Sequence, residues 1–249
     1  MAPPLPNDIR VFLGGYPGER DDPSLNTNLK FYTLRARCEP DNLTLDEIHT
    51  RWAGDYHTLE RNHGFIQWLF PIREQGVNWY AQPLQVHEAA AMKANPDVVS
   101  RVVNSYELML DFYGMHLQST ETGLLVRAGP AQKWCDRYRN LARMSHNNLR
   151  ITRILKCLSE MGLEHLNAGF LLHVLNEQSE HGQLNAYTIV NSMDQWWANC
   201  IRDEKEREWI GQLIAAVRGN AEFVFTREMY ERALERRRET GTFEKRGDM

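Results

Sequence analysis

Cysteine is scarce and scattered: the 249 residues hold four, Cys38, Cys135, Cys157 and Cys200, and no two of them form a CxxC pair. That spacing excludes a zinc ribbon and a disulfide framework, and a reducing compartment is its simplest setting. Cys157 lies among apolar helix positions and Cys200 follows a tryptophan pair, so both read as small buried hydrophobes. No stretch approaches the ~20 consecutive apolar residues of a membrane span. The start, Met1-Ala2-Pro3-Pro4-Leu5-Pro6, has neither a basic segment nor an apolar run, so no secretory signal is expected and the chain reads as soluble and intracellular. Basic charge is not in excess either; a net charge of −4 argues against a protein built mainly to hold nucleic acid.

The signatures of familiar chemistry are missing or incomplete. Gly14-Gly15-Tyr16-Pro17-Gly18 lacks the Gly-Lys-Ser/Thr ending that lets a phosphate loop reach phosphate and magnesium, so it reads as a turn. Glu60 and His63 have the Glu-x-x-His spacing of a di-iron bundle, but no second copy exists; Glu177 and His181 stand four apart. His87-Glu88 opens like a zincin helix, yet position 91 is Ala where the second histidine belongs. No Gly-x-Ser-x-Gly elbow occurs. No metal and no cofactor is called for, and an enzyme is retained only as a second alternative, because catalytic groups converge in space rather than in sequence.

What is present is helical periodicity with a heavy aromatic content. Seven Trp, nine Tyr and nine Phe in a chain that is 42 % hydrophobic supply a core without help from metal or disulfides. Residues 1–42, rich in Pro, Gly, Asp and Asn, read as an extended lead-in with a short strand or turn around Arg10–Leu13. From residue 43 the helical period takes over. Thr44 and Glu47 form a capping box, followed by Leu45, Ile48, Trp52, Leu59 and His63 on one face of a single helix. Phe65 to Phe70 predicts a short buried helix closed by Pro71, and 71–83 a loop. A helix over 85–94 precedes Asn95-Pro96, a cap and first-turn proline, which opens a helix through Tyr113 that stops at Gly114. Ser119 to Gly123 is a polar turn. Further helices are expected near 130–144, 148–161, 164–181, 186–202, 204–218 and 226–239, with no period-two alternation after residue 43. The class is therefore all-α, an irregular single-domain bundle of about nine or ten helices occupying 43–249.

Charge is unevenly distributed. Between Leu124 and Leu158 stand Arg127, Lys133, Arg137, Arg139, Arg143, Arg150, Arg153 and Lys156 against Asp136 alone. Between Glu39 and Glu60 stand Glu39, Asp41, Asp46, Glu47, Asp55 and Glu60 against Arg51 alone. Either the basic segment meets an acidic partner, such as a phosphate, a peptide carboxylate or nucleic acid, or the two segments satisfy one another inside the fold. Arg150 and Arg153, one turn apart beside an apolar stripe, are the anchors for an internal or ligand carboxylate. Arg236-Arg237-Arg238, interleaved with glutamates, reads as a solvated helix face.

Several strings are more specific than any of these patterns. Arg51-Trp52-Ala53-Gly54-Asp55-Tyr56, Leu59-Glu60-Arg61-Asn62-His63, Ile66-Gln67-Trp68-Leu69-Phe70-Pro71, Ser105 to Gly114 and His146-Asn147-Asn148-Leu149-Arg150-Ile151-Thr152-Arg153 resemble, in order and spacing, the conserved domain of the opioid growth factor receptor family, across about Asn28 to His181. The family's usual second tryptophan is Ala53 here, and vertebrate members continue into low-complexity repeat tails that lie outside the resemblance. The resemblance implies a nuclear or perinuclear, growth-regulatory, non-enzymatic module that binds Met-enkephalin and spans no membrane. A peptide with a charged amine, a Tyr and a Phe would want a carboxylate beside aromatic walls and a cation for its own terminus. Trp52, Asp55, Tyr56 and Trp68 are candidates for the first, Arg150 and Arg153 for the second, and His63 and Asn148 complete the candidate ligand-binding set. The partner expected is a short peptide or an acidic protein; a generic interaction scaffold is the alternative.

Overall fold

Local capping chemistry sets most element boundaries in the computed structural model, which describes residues 4–244. The Thr44 hydroxyl accepts the Glu47 N–H and the Glu47 carboxylate accepts the Thr44 N–H, which starts the helix Leu45–Arg51. The run expected to continue to His63 breaks there. Gly54 takes a left-handed φ of 75° and the Asp55 carboxylate caps a new helix, Tyr56–Arg61, by accepting the Thr58 N–H at 3.0 Å.

The lead-in also departs from expectation. In place of extended chain and a short strand or turn around Arg10–Leu13, it contains α1 (Asn7–Leu13), which buries Ile9 and Phe12, and α2 (Thr27–Tyr32), which buries Phe31 and Tyr32. Both are under two turns, too short for a helical period to register in sequence. Tertiary contacts hold them. The buried Glu88 carboxylate accepts the Leu29 N–H in the first turn of α2 at 3.1 Å and the Asn28 side chain at 2.9 Å. Residues 1–3 of the proline-rich start and residues 245–249 lie outside the described residues.

Numbering continues in chain order with α3 (Leu45–Arg51), α4 (Tyr56–Arg61), α5 (Ile66–Leu69), α6 (Val86–Lys93) and α7 (Pro96–Tyr113). Asn95 caps α7 and Gly114, at φ 85°, ends it, both at the expected positions. Two strands that period-two reading could not find follow: β1 (Met115–Leu117) and β2 (Leu125–Arg127), antiparallel, with His116 opposite Val126. Three residues are too few for alternation to stand out. The expected polar turn at 119–123 is their connection. Then come α8 (Ala131–Arg143), α9 (His146–Glu160), α10 (Glu164–Ser179), α11 (Tyr187–Gln195), a 3₁₀ turn at Trp197–Asn199, α12 (Glu204–Gly219) and α13 (Arg227–Thr240). The ten helices expected become thirteen among the described residues, through α1, α2 and the break between α3 and α4. The all-α class stands.

Helix α10 is buried on every side from Leu166 to Gln178 and forms the axis of one core that runs from Ile9 to Phe243. The hairpin turn rests directly on it. A Cβ at Gly169 would lie 1.9 Å from the Gly123 carbonyl oxygen, so only glycine permits the approach. The buried Tyr230 hydroxyl of α13 accepts the Leu125 N–H at 2.8 Å and donates to the Gly169 carbonyl at 3.0 Å, joining hairpin, axis and C-terminal helix. Arg127 forks onto Glu177 of α10 at 2.8 and 2.7 Å while its guanidinium stacks 4.1 Å above Trp134 of α8. All four cysteines are free, and burial raises the Cys157 and Cys200 thiols far above their ordinary range, in keeping with inert packing groups. No helix among the described residues is long and apolar enough to cross a membrane.

Replacing Tyr230 by Phe leaves the Leu125 N–H buried without an acceptor, and an unpaired buried donor costs about 1–3 kcal/mol. Urea denaturation of Tyr230→Phe is expected to show that loss with an unchanged m value; a midpoint equal to the wild type's would show that the three elements are joined by other means.

Candidate functional site

Helix α9 has two working faces. Ile151, Ile154, Leu155 and Leu158 enter the core, while His146, Leu149, Arg150, Arg153 and Lys156 recur at i, i+3, i+4, i+7 and i+10 along a face that borders a cleft of about 310 Å³. The far walls are His63 and Gln67, the loop residues Ile72, Glu74 and Val77, Asp8 of α1, and Trp196 between α11 and the 3₁₀ turn.

Arg150 builds the inner end. It is 4 % exposed, and its guanidinium donates to the carbonyls of Leu59 at 2.7 Å, Glu60 at 3.2 Å and Asn62 at 2.7 Å, which are the unpaired acceptors at the C-terminus of α4. Nη2, which meets the Glu60 and Asn62 carbonyls, also reaches His63 Nδ1 at 3.2 Å. A guanidinium only donates, so Nδ1 is the acceptor and Nε2 carries the proton of a neutral ring. Burial, then the charge of Arg150 and of His146, lowers the His63 pKa and keeps that form. The His146 ring lies edge-on to His63 with centroids 5.2 Å apart, and its Nε2 is 2.7 Å from the Glu60 carboxylate, which also accepts the Asn140 amide at 2.6 Å.

Arg153 and Lys156 differ in how they are neutralised. Lys156 is 1 % exposed and clamped by two carboxylates, Asp8 at 3.0 Å and Glu74 at 2.7 Å. Arg153 donates through Nε to the Phe70 carbonyl at 2.9 Å; among the described residues its two Nη groups donate to no protein acceptor and no carboxylate lies within 4.0 Å of it. Burial pushes its guanidinium down to about 10, still charged at neutral pH. Gln67 also lines the cleft: its Oε1 accepts the Asn78 N–H at 3.0 Å, which assigns the amide orientation and leaves Nε2 without a protein acceptor among the described residues. A Cβ at Gly76 would come within 2.2 Å of Gln67 Oε1, so a larger residue there would displace the Gln67 amide. Two apolar side chains flank the mouth, Leu149 at 74 % and Val77 at 84 % exposure, and the exposed Trp79 and Tyr80 continue beyond Val77.

Of the eight candidate ligand residues, the cleft brings together His63, Arg150 and Arg153. The other five serve packing or local structure. Trp52 packs against Phe65, with ring centroids 5.1 Å apart, and Trp68 sits on Phe31 while its indole N–H donates to the Glu39 carbonyl at 3.1 Å. Asp55 is the cap of α4. Tyr56 donates to Asp111 at 2.7 Å beneath Arg137. Asn148 is buried against α11, its amide donating to the Thr188 carbonyl. Aromatic residues at helical spacing went to the core, so the expected wall of carboxylate and aromatics does not face the arginines. The oppositely charged segments meet mainly at Glu60; Glu47 pairs with Arg37 and Arg51, and Asp55 with its own helix. Lys156, His146 and Gln67 were missed. The spacing of 146, 149, 150, 153 and 156 could have shown the first two, whereas Asp8, Glu74 and Trp196 arrive only through long-range packing. Among the described residues no group of three or more His, Cys, Asp or Glu is placed to hold a metal ion.

Residues 21–231 match the model of the opioid growth factor receptor conserved region. The rat opioid growth factor receptor is 44 % identical over 172 residues, 68 % of this chain and 29 % of that protein, and the human one 46 % identical over 172 residues, 68 % and 25 %. The mouse opioid growth factor receptor-like protein 1 is 37 % identical over 202 residues, 80 % of this chain and 42 % of its own length. The matched part thus spans less than a third of the two receptors. No solved structure matches the chain.

The two arginines should separate in stability. Arg150→Met strips three helix-end carbonyls of their donor and is expected to cost about 3 kcal/mol, against about 1 kcal/mol for Arg153→Met, which loses one bond. Chemical denaturation checks this; equal losses would mean that Arg153 is as much a framework residue as Arg150.

Proposed function

The chain belongs to the opioid growth factor receptor family, and from that premise we propose that the cleft along α9 receives the acidic group of a short peptide, which makes this a peptide-binding, non-enzymatic, growth-regulatory module of the Met-enkephalin type. The observation that carries the reading is Arg153: a guanidinium held by a single bond to Phe70, with its Nη donors turned to a cleft rather than to a carboxylate of its own fold. Arg153 is half-buried, so water reaches those donors until a partner displaces it, and a carboxylate matches the planar fork in a bidentate pair. The leading role passes from the arginine pair to Arg153, because Arg150 is consumed by α4. Leu149, Val77 and Trp196 offer apolar contact to side chains next to the acidic group. The receptor names of the relatives support the non-enzymatic part. A soluble nuclear or perinuclear setting accompanies the reading.

A second reading, a generic protein-interaction scaffold with no peptide ligand, is favoured by the exposed Val77, Trp79 and Tyr80. Asn78 between them is tied to the Glu39 and Gly64 carbonyls at 2.9 and 3.1 Å, so three large side chains stand outward on an anchored loop.

Calorimetric titration with Met-enkephalin and with its C-terminal amide decides between them. Binding of the acid, lost on amidation and in Arg153→Met but kept in Asp55→Ala, is expected. Equal affinity of acid and amide, or of wild type and Arg153→Met, overturns the peptide reading.

A further inference from the structure

Resting on that reading of the cleft, we propose that the acidic group it is best built to take is a phosphate monoester rather than a carboxylate. Three residues that line the cleft carry donors without a protein acceptor among the described residues. Arg153 contributes Nη1 and Nη2 from α9, Gln67 contributes Nε2 from α5, and His63 contributes its Nε2 proton from the segment after α4. Each orientation is fixed by the residue's other contact: Phe70 for Arg153, Asn78 for Gln67 and Arg150 for His63.

The donors therefore come from three elements around one space, not from a single edge. A carboxylate has two oxygens whose acceptor sites all lie in one plane, and a guanidinium fork takes the two that face it, which suits donors arriving from one edge rather than from three elements. A phosphate monoester carries three strong acceptor oxygens in a tetrahedral array, and close to two negative charges at neutral pH. One oxygen for each donor group is the match. The position follows from the rest of the charge in the cleft. Asp8 and Glu74 stand at the Lys156 end and use that ammonium, so an anion is repelled there and settles at the end of Arg153, Gln67 and His63. Trp196, Leu149 and Val77 line the same cleft, the last two well exposed, so an apolar or aromatic carrier of the phosphate fits it. The step is binding alone, with no bond broken.

The test uses the full chain and one pentapeptide in three forms, titrated by calorimetry: with phosphotyrosine, with unmodified tyrosine, and with glutamate in its place. Inorganic phosphate and a nucleoside monophosphate form a second arm. The phosphotyrosine form is expected to bind at least about tenfold tighter than the glutamate form, the effect of one added charge-assisted hydrogen bond. Gln67→Glu keeps the oxygen that accepts from Asn78 and replaces the donor by an anion; it is expected to abolish the preference while its thermal midpoint stays at the wild-type value. Should that variant unfold, Arg153→Lys, which retains the charge and removes the fork, is expected to lose the same preference. Tighter binding of the small phosphates than of the phosphopeptide supports the chemistry and assigns its source to a metabolite-sized ester. Equal affinity for the phosphotyrosine and glutamate forms, with both lost in Arg153→Met, overturns the phosphate inference and leaves the cleft reading in place. Failure of every form to bind, or binding indifferent to Arg153→Met, removes both.

Discussion

A guanidinium seated on the end of a helix organises this fold. Arg150 of α9 supplies the donors that the last carbonyls of α4 lack, and a cation at that pole also opposes the negative end of the helix dipole. The chain after α4 must then start where Arg150 leaves it. That places His63 in contact with the guanidinium, sends Phe65 into the core, and brings Gln67 of α5 across from Arg153. The cleft is the space left between a helix and a segment that the same residue holds together.

The energetics of its three cations are graded. Lys156 is almost fully buried and locally overcompensated by Asp8 and Glu74, which tie the lead-in helix to the floor of the cleft. Arg150 trades water for backbone carbonyls. Arg153 has one such carbonyl, and desolvation shows in its depressed pKa. Of the three cations, Arg153 is the one whose hydrogen-bonding capacity the fold leaves mostly unused.

Much of the architecture was legible from short-range rules. The Thr44 and Glu47 box, Asn95-Pro96, Gly114 and Pro71 each mark a boundary that the structure keeps, because capping and proline geometry act within a few residues. Legibility failed where elements are shorter than their own period, in α1, α2 and the hairpin, and where Gly54 and Asp55 cut a continuous amphipathic stripe in two. The site divides in the same way. Arg150 and Arg153 could be picked from charge and spacing, but not which of them is tied off, since that depends on α4 lying some ninety residues away in sequence. Trp52, Asp55 and Trp68 illustrate the opposite error. Their residue types suit a peptide amine, yet packing and capping claim them first.

Arg150 is a closed framework residue and Arg153 an open one. Side-chain NMR of the guanidinium protons in the ligand-free chain tests it most directly. Slowly exchanging Nη protons on Arg150 beside rapidly exchanging ones on Arg153 are the result expected from the bonds each makes. Equal protection of the two, or a slower Arg153, would contradict the account.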